Sequence, residues 1–151
     1  MALVVNDVQL TSLHLAAAGT AVTTLAEITT ALLSAKELVG IQSMSPTTIT
    51  KATQEHSAID SNDVTYSQGT ISVAPKDFSV LLNSADTAGQ ADLKAMFANN
   101  TLRVFICGLT DGKYEVFTGF ATKSEKTFEK GSAYMYNSTV QPTTVPIDVL
   151  T

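Results

Sequence analysis

The sequence predicts a mainly β (α+β) fold, a β-sandwich or small barrel flanked by one helix, with an N-terminal arm and a long loop. Three observations carry this expectation. Apolar or alternating runs of strand length follow one another between residues 102 and 150, with turn residues between them. One segment, residues 87–100, combines a helical apolar stripe with start and stop signals. Residues 1–45 and 54–68 show neither pattern clearly. A chain of 151 residues is the size of one domain. Residues 1–151 are therefore read as a single domain, with 1–45 as the arm, 54–68 as the loop and 69–150 as the core sheet and helix.

From the N-terminus, residues 2–10 are compatible with a strand. Residues 25–38 have a helical pattern in Leu25, Ile28, Leu32 and Lys36, weakened by threonine. Ile49 lies in the threonine-rich run TTITKAT, which suits a strand. The fifteen residues 54–68 are polar, carry Glu55, His56, Asp60 and Asp63, and contain no Lys or Arg. A polar stretch of that length inside a compact domain points to a functional or disordered loop. Two alternating runs, TISVA and FSVLLN, flank Pro75-Lys76-Asp77, so they form one long strand bent at the proline or a tight strand pair.

Thr87 and Gln90 have the spacing of a capping box. Leu93, Met96 and Phe97 then form one stripe that should pack on the sheet, and Asn99 or Asn100 can end the helix in a left-handed conformation. Residues 102–109, LRVFICGL, read as a central strand buried on both faces. Asp111-Gly112 is a strong hairpin signal, because glycine takes positive φ without penalty, and residues 114–122 follow as the partner strand. The mixed charges of residues 123–130 mark a solvated strand end and turn. Residues 132–140 alternate again, and residues 145–150 form a short edge strand where Pro146 is tolerated.

Composition narrows the function classes. Charged residues make up 15% of the chain, against roughly 25% in ordinary soluble domains. Such a chain belongs to a membrane or hides surface in an assembly. The longest uncharged stretch, residues 8–26, contains Gln9, Ser12, His14 and several threonines, which makes it a poor membrane span. The first residues carry Asp7 and no basic residue, unlike a secretory signal. Acidic residues outnumber basic ones nine to four in residues 1–100, and Arg103 is the sole arginine. Without a basic footprint, tight nucleic-acid binding is not expected.

The catalytic inventory is thin. His14 and His56 have no second ligand at metal spacing, and Cys107, the single cysteine, lies in an apolar run as a buried thiol would. His56, Ser57 and Asp60 are triad residue types but neighbours on one loop. Asp60, Asn62 and Asp63 lack the glycine and distant glutamate of a calcium loop. Asn99-Asn100-Thr101 and Asn137-Ser138-Thr139 match a glycosylation pattern whose use requires a secretory route. No enzyme activity, cofactor or metal is expected.

The order of parts from residue 69 onward resembles the major tail tube proteins of tailed bacteriophages. The segments that carry the resemblance are GTISVAPKDFSVLLN, the helix start in DTAGQADLKAMF with Ala88-Gly89-Gln90-Ala91, the buried strand LRVFICGL, the Asp111-Gly112 turn, and GFATKSEKTFEKGSAYMYNSTVQ with its proline-containing tail. The resemblance covers about half of the chain and rests on order and texture. It implies a β-sandwich or small barrel with a flanking helix, self-assembly into hexameric rings, and stacking of rings into a tube that conducts DNA to the host. The implied partners are identical copies, other tail proteins at the tube ends, the tape measure protein, and DNA that passes without specific binding. The implied place is the virion tail, assembled in the bacterial host cytoplasm, with no membrane partner. Residues 54–68, with Glu55, His56, Asp60 and Asp63, become the expected contact between subunits or rings, although a solvated loop face is an equal reading of those acids. A tube protein of type VI secretion, or a decoration or adhesion module, is the alternative.

Overall fold

The computed structural model describes residues 10–59, 62–82, 88–109, 112–131 and 134–149. Among them the chain runs β1 (Leu10–Ala17), α1 (Leu25–Leu32), β2 (Lys36–Glu37), β3 (Ile41–Met44), β4 (Ile49–Ser57), β5 (Val64–Val73) and β6 (Lys76–Leu81). It continues through α2 (Gly89–Asn99), β7 (Arg103–Leu109), β8 (Tyr114–Thr127), β9 (Met135–Pro142) and β10 (Ile147–Val149). The main sheet has the order β2-β1-β7-β8-β9-β6-β3, with β10 added to β8, while β4 and β5 form a separate two-stranded sheet.

The main sheet is a small barrel. In sheet order β7 and β6 are three strand steps apart, about 14 Å in a flat sheet. Yet the rings of Phe105 and Phe78 on those strands lie 5.9 Å apart, so the sheet curls over its own face. Its two ends are also consecutive in the chain. β2 pairs with β1 through His14↔Glu37 and Leu15↔Lys36, and β3 pairs with β6 through Ile41↔Val80 and Met44↔Phe78. Between them the Leu38 amide donates to the Leu13 carbonyl and the Leu81 amide to the Gly40 carbonyl. Residues 36–44 thus cross from one sheet edge to the other and close the barrel. Gly40 makes the corner at φ +83°.

Inside the barrel, Leu13, Leu15, Leu38, Phe78, Val80, Phe105, Cys107, Phe117, Tyr136 and Val140 pack with Leu93 and Met96 of α2. Outside it, Val104, Ile106, Val116 and Val149 pack with Ile28 and Ala31 of α1. The period-two alternation of β7 puts Phe105 and Cys107 inward and Val104 and Ile106 outward, which is why residues 102–109 read as buried on both faces. β8 pairs with β7 through residues 114–119 and with β9 through 119–127. Gly119 stands where the partner changes, and a Cβ there would lie 2.8 Å from the Gln141 carbonyl oxygen. That close approach of two backbones is what a strand bending at a barrel corner requires.

Several expectations are corrected. Residues 10–45, expected as an arm, are integral to the barrel, because Leu13, Leu15 and Leu38 supply its core; residues 1–9 lie outside the described residues. Of the strand expected at 2–10 only residue 10 is described, and it opens β1, Leu10–Ala17. Among the described residues two helices flank the sheet rather than the one expected. α1 starts on a capping box: the Thr24 hydroxyl accepts from the Glu27 amide at 3.3 Å, and the Glu27 carboxylate accepts from the Thr23 amide and hydroxyl at 2.9 and 2.8 Å. These donors hold the Glu27 carboxyl below the usual range, the Thr23 amide first among them.

α2 begins at Gly89 after Ala88, so Gln90 is too early for the predicted box; its side-chain amide donates to the Leu81 carbonyl at 2.7 Å, and Thr87 lies outside the described residues. Leu93 and Met96 are fully buried as expected, but Phe97 is 41% exposed. The buried face of α2 runs instead through Gly89, Gln90, Asp92, Leu93 and Met96, which places Phe97 beyond its edge. Asn100 ends the helix in the left-handed region, at φ 54° and ψ 39°. The β7–β8 hairpin turns at Gly112, φ +79°, whose amide donates to the Leu109 carbonyl; Asp111 lies outside the described residues.

Candidate assembly surface

Residues 54–68, expected as a loop, belong mostly to a β-hairpin that projects from the barrel. β4 and β5 pair from Ile49↔Val73 at the root to Ser57↔Val64 near the tip, with a bulge where β5 carries one extra residue between Gln68 and Ile71. All of β4 is exposed. Composition hid residues 54–57 because β4 has no buried face to print an alternation on; apart from Ile49, the large apolar residues of the hairpin sit on β5.

Paired residues share a face, and this gives the hairpin two unlike sides. One side carries Ile49 with Val73, Lys51 with Ile71, Thr53 with Gln68, Glu55 with Tyr66, and Ser57 with Val64. The other carries Thr50 with Ser72, Gln54 with Ser67, and His56 with Thr65. On the first side Tyr66 is 68% exposed, Ile71 51%, Ile49 46% and Val64 44%. There Lys51 also donates to Gln68 at 2.9 Å, while on the second side only polar groups meet: Thr50 and Ser72 hydroxyls at 2.7 Å, and His56 Nε2 and the Ser67 hydroxyl at 2.7 Å. An isolated two-stranded hairpin is marginal in water. One with an uncovered apolar side has the composition of a surface that docks.

The predicted site residues are thus divided. Glu55 stands on the apolar side opposite Tyr66, His56 on the polar side, and Asp63 in the connection before β5; Asp60 lies outside the described residues. They do not converge on one point. Among the described residues no group of His, Cys, Asp and Glu could hold a metal ion, and no helix is long and apolar enough to cross a membrane.

Sequence reasoning missed the root of the hairpin. Lys76, the first residue of β6, is completely buried. Its ammonium lies 3.0 Å from the Glu115 carboxylate and 5.0 Å from the centre of the Phe117 ring, and it donates to the Thr47 hydroxyl. Thr47 donates in turn to the same carboxylate oxygen. Pro75-Lys76-Asp77 reads as a turn in sequence, and nothing local announces a partner thirty-nine residues away.

No family model and no curated protein matches the chain by sequence. Its fold, however, is similar to that of chains in solved structures of a tail tube, of gene transfer agent particles and of a baseplate. Against the SPP1 tail tube, solved by solid-state NMR and cryo-EM, the TM-score is 0.67 at 12% identity, covering 95% of this chain and 76% of that one. Against the virion of a native gene transfer agent it is 0.61 at 12% identity, covering 78% and 91%. Against the baseplate of the anti-feeding prophage it is 0.65 at 6% identity, covering 99% and 96%. A further similar chain comes from the tail of an empty gene transfer agent particle refined with C6 symmetry. At such low identity the likeness is one of fold alone.

Proposed function

We propose that this chain is a structural subunit that self-assembles into hexameric rings, stacked into a tail tube through which DNA passes to a host. The observation that carries the reading is the apolar side of the β4–β5 hairpin, on a two-stranded sheet that its own barrel does not cover. The similarity of fold to chains in the SPP1 tail tube and in a gene transfer agent tail refined with C6 symmetry supports identical copies as the partner. Heterologous contacts close into rings when the rotation between copies closes, and the hairpin is the element long enough to bridge to an adjacent copy or ring. A net charge of −5 suits a conduit, since a basic wall would retain phosphates by counterion release. The virion is then the site of action, with tail-end proteins and the tape measure as further partners.

The test is electron microscopy with light scattering on the purified protein. Rings or tubes are expected. Replacing residues 55–66 by Asn-Gly closes the hairpin at the Gln54–Ser67 pair with a two-residue turn. That variant should remain a folded monomer. A parent protein that stays monomeric at high concentration, or tubes of normal length from the shortened hairpin, would refute the proposal.

A further inference from the structure

We propose that the ion pair between buried Lys76 and half-buried Glu115 is a positioning device: it fixes the direction in which the β4–β5 hairpin leaves the barrel, and through that direction governs assembly. The inference rests on the reading of this chain as a self-assembling subunit. Four observations converge at the hairpin root.

The connections there are short and stiff. The chain enters β4 through residues 45–48, which include Pro46, and leaves β5 through Ala74-Pro75 alone before β6 begins. Each proline fixes its own φ. The two connections are also tied together and to the barrel by backbone and side-chain hydrogen bonds. The Ser45 amide donates to the Asp77 carbonyl at 2.9 Å, the Asp77 amide to the Ser45 hydroxyl at 2.8 Å, and the Ala74 amide to the Thr48 carbonyl at 2.9 Å. Gln141 of β9 donates to the Val73 carbonyl at 3.1 Å, and Thr139 to the Asp77 carboxylate at 2.6 Å.

The ion pair ties Glu115 on β8 to two segments already in contact with each other: Thr47 before β4 and Lys76 at the start of β6. Its placement is also expensive. A fully buried ammonium loses its hydration, and replacing such a pair by apolar residues is often neutral or stabilising. What the pair supplies that apolar contact cannot is direction, because hydrogen bonds to one carboxylate oxygen admit few orientations.

Direction matters because the hairpin is long. The nine residues of β4 span about 30 Å, so a change of about 10° at the root displaces the tip by about 5 Å. That is a full strand spacing, enough to move the apolar side off a docking surface. A hairpin held in its docking direction before contact avoids the ordering cost at the moment of binding.

The experiment uses Lys76→Met with Glu115→Gln, which leaves no unpaired charge and keeps an unbranched chain over Phe117. The thermal midpoint should change little, whereas the critical concentration for assembly should rise about tenfold or more. Spin labels at Ser57→Cys and Asn99→Cys on the soluble chain read direction itself. Their distance distribution should be narrow in the parent and broad in the double variant. A double variant that assembles at the parental concentration with a narrow distribution overturns the inference. Should that variant fail to fold, Thr47→Val, which removes one link and leaves both charges paired, is read by the same two measurements. If the parent itself does not assemble, the functional reading fails, and the spin-label distances still decide whether the pair sets the hairpin direction.

Discussion

The ring of Phe78 stacks on that of Phe105 at 5.9 Å with planes 7° apart, and Phe105 stacks on Phe117 at 5.0 Å and 6°. Phe105 is thus the middle ring of three, fully buried, and in contact with both walls of the curled sheet. Phe105→Ala should destabilise the protein by about 3–5 kcal/mol, since the transfer loss and the cavity add. Phe105→Leu should cost less because it refills part of the volume. Urea denaturation with an unchanged slope measures both.

Gly89 begins α2 where the helix presses on the barrel-closing segment. A Cβ there would stand 2.3 Å from the Glu37 carbonyl oxygen and 2.6 Å from the Leu38 Cα, both backbone atoms. Gly89→Ala should cost about 2–3 kcal/mol through overpacking. At Gly112 nothing lies within 4 Å, but φ is +79°. Gly112→Ala should cost about 1 kcal/mol from backbone strain alone. Thermal melts that reverse this order would contradict the packing at Gly89.

Asp92 is 6% exposed and joins three elements: its carboxylate meets Arg103 of β7 at 3.1 Å and Lys36 of β2 at 3.5 Å. Asp92→Ala should lose about 2–3 kcal/mol, because Arg103 remains half-covered without its partner. Asp92→Asn keeps the shape and an acceptor, and should lose roughly half as much. Raising salt should affect the parent little, as the carboxylate is shielded from solvent.

Burial pushes the Cys107 thiol up to about 12, against the opposing pull of Lys76 and with a smaller push from Glu115. The folded protein should therefore resist alkylation at pH 8 and react once unfolded in urea. The unfolded thiol ionises near its ordinary value of 9.0 and the folded one does not. Between about pH 9 and 12 the unfolded state binds fewer protons, so this group lowers stability by about 1.4 kcal/mol per pH unit. Stability against pH, compared between the parent and Cys107→Ala, isolates that slope.

The parts that were legible in sequence are those whose burial leaves a local imprint. β7 announced itself because both faces are covered, the β7–β8 turn because Gly112 needs positive φ, and the end of α2 because Asn100 tolerates the left-handed region. The capping box at Thr24 and Glu27 is an equally local signal, but the reading of residues 25–38 rested on their apolar pattern and missed it. The run TTITKAT marked the start of β4, but the rest of that strand was hidden for the opposite reason: Thr53, Glu55 and Ser57 alternate with Gln54 and His56, polar against polar. Val64, Tyr66, Ile71 and Val73 on β5 did carry a period of two, broken by the bulge. Lys76 could not be found at all from its neighbours, since its burial depends on Glu115 and Phe117 arriving from another strand.

The barrel closes through a pairing of distant segments: β1 lies beside β7, with Leu15 opposite Phe105 and Leu13 opposite Cys107. The hairpin, by contrast, needs only neighbours in the chain, Ser57 meeting Val64. Contact order therefore separates the two in time, with the hairpin able to form in microseconds and the barrel waiting on a loop closure of most of the chain. A folding chain can therefore present the exposed apolar residues of its hairpin before the barrel is finished. Dilute refolding should give assembly-competent protein, and concentrated refolding should give aggregates in which hairpins have met too early.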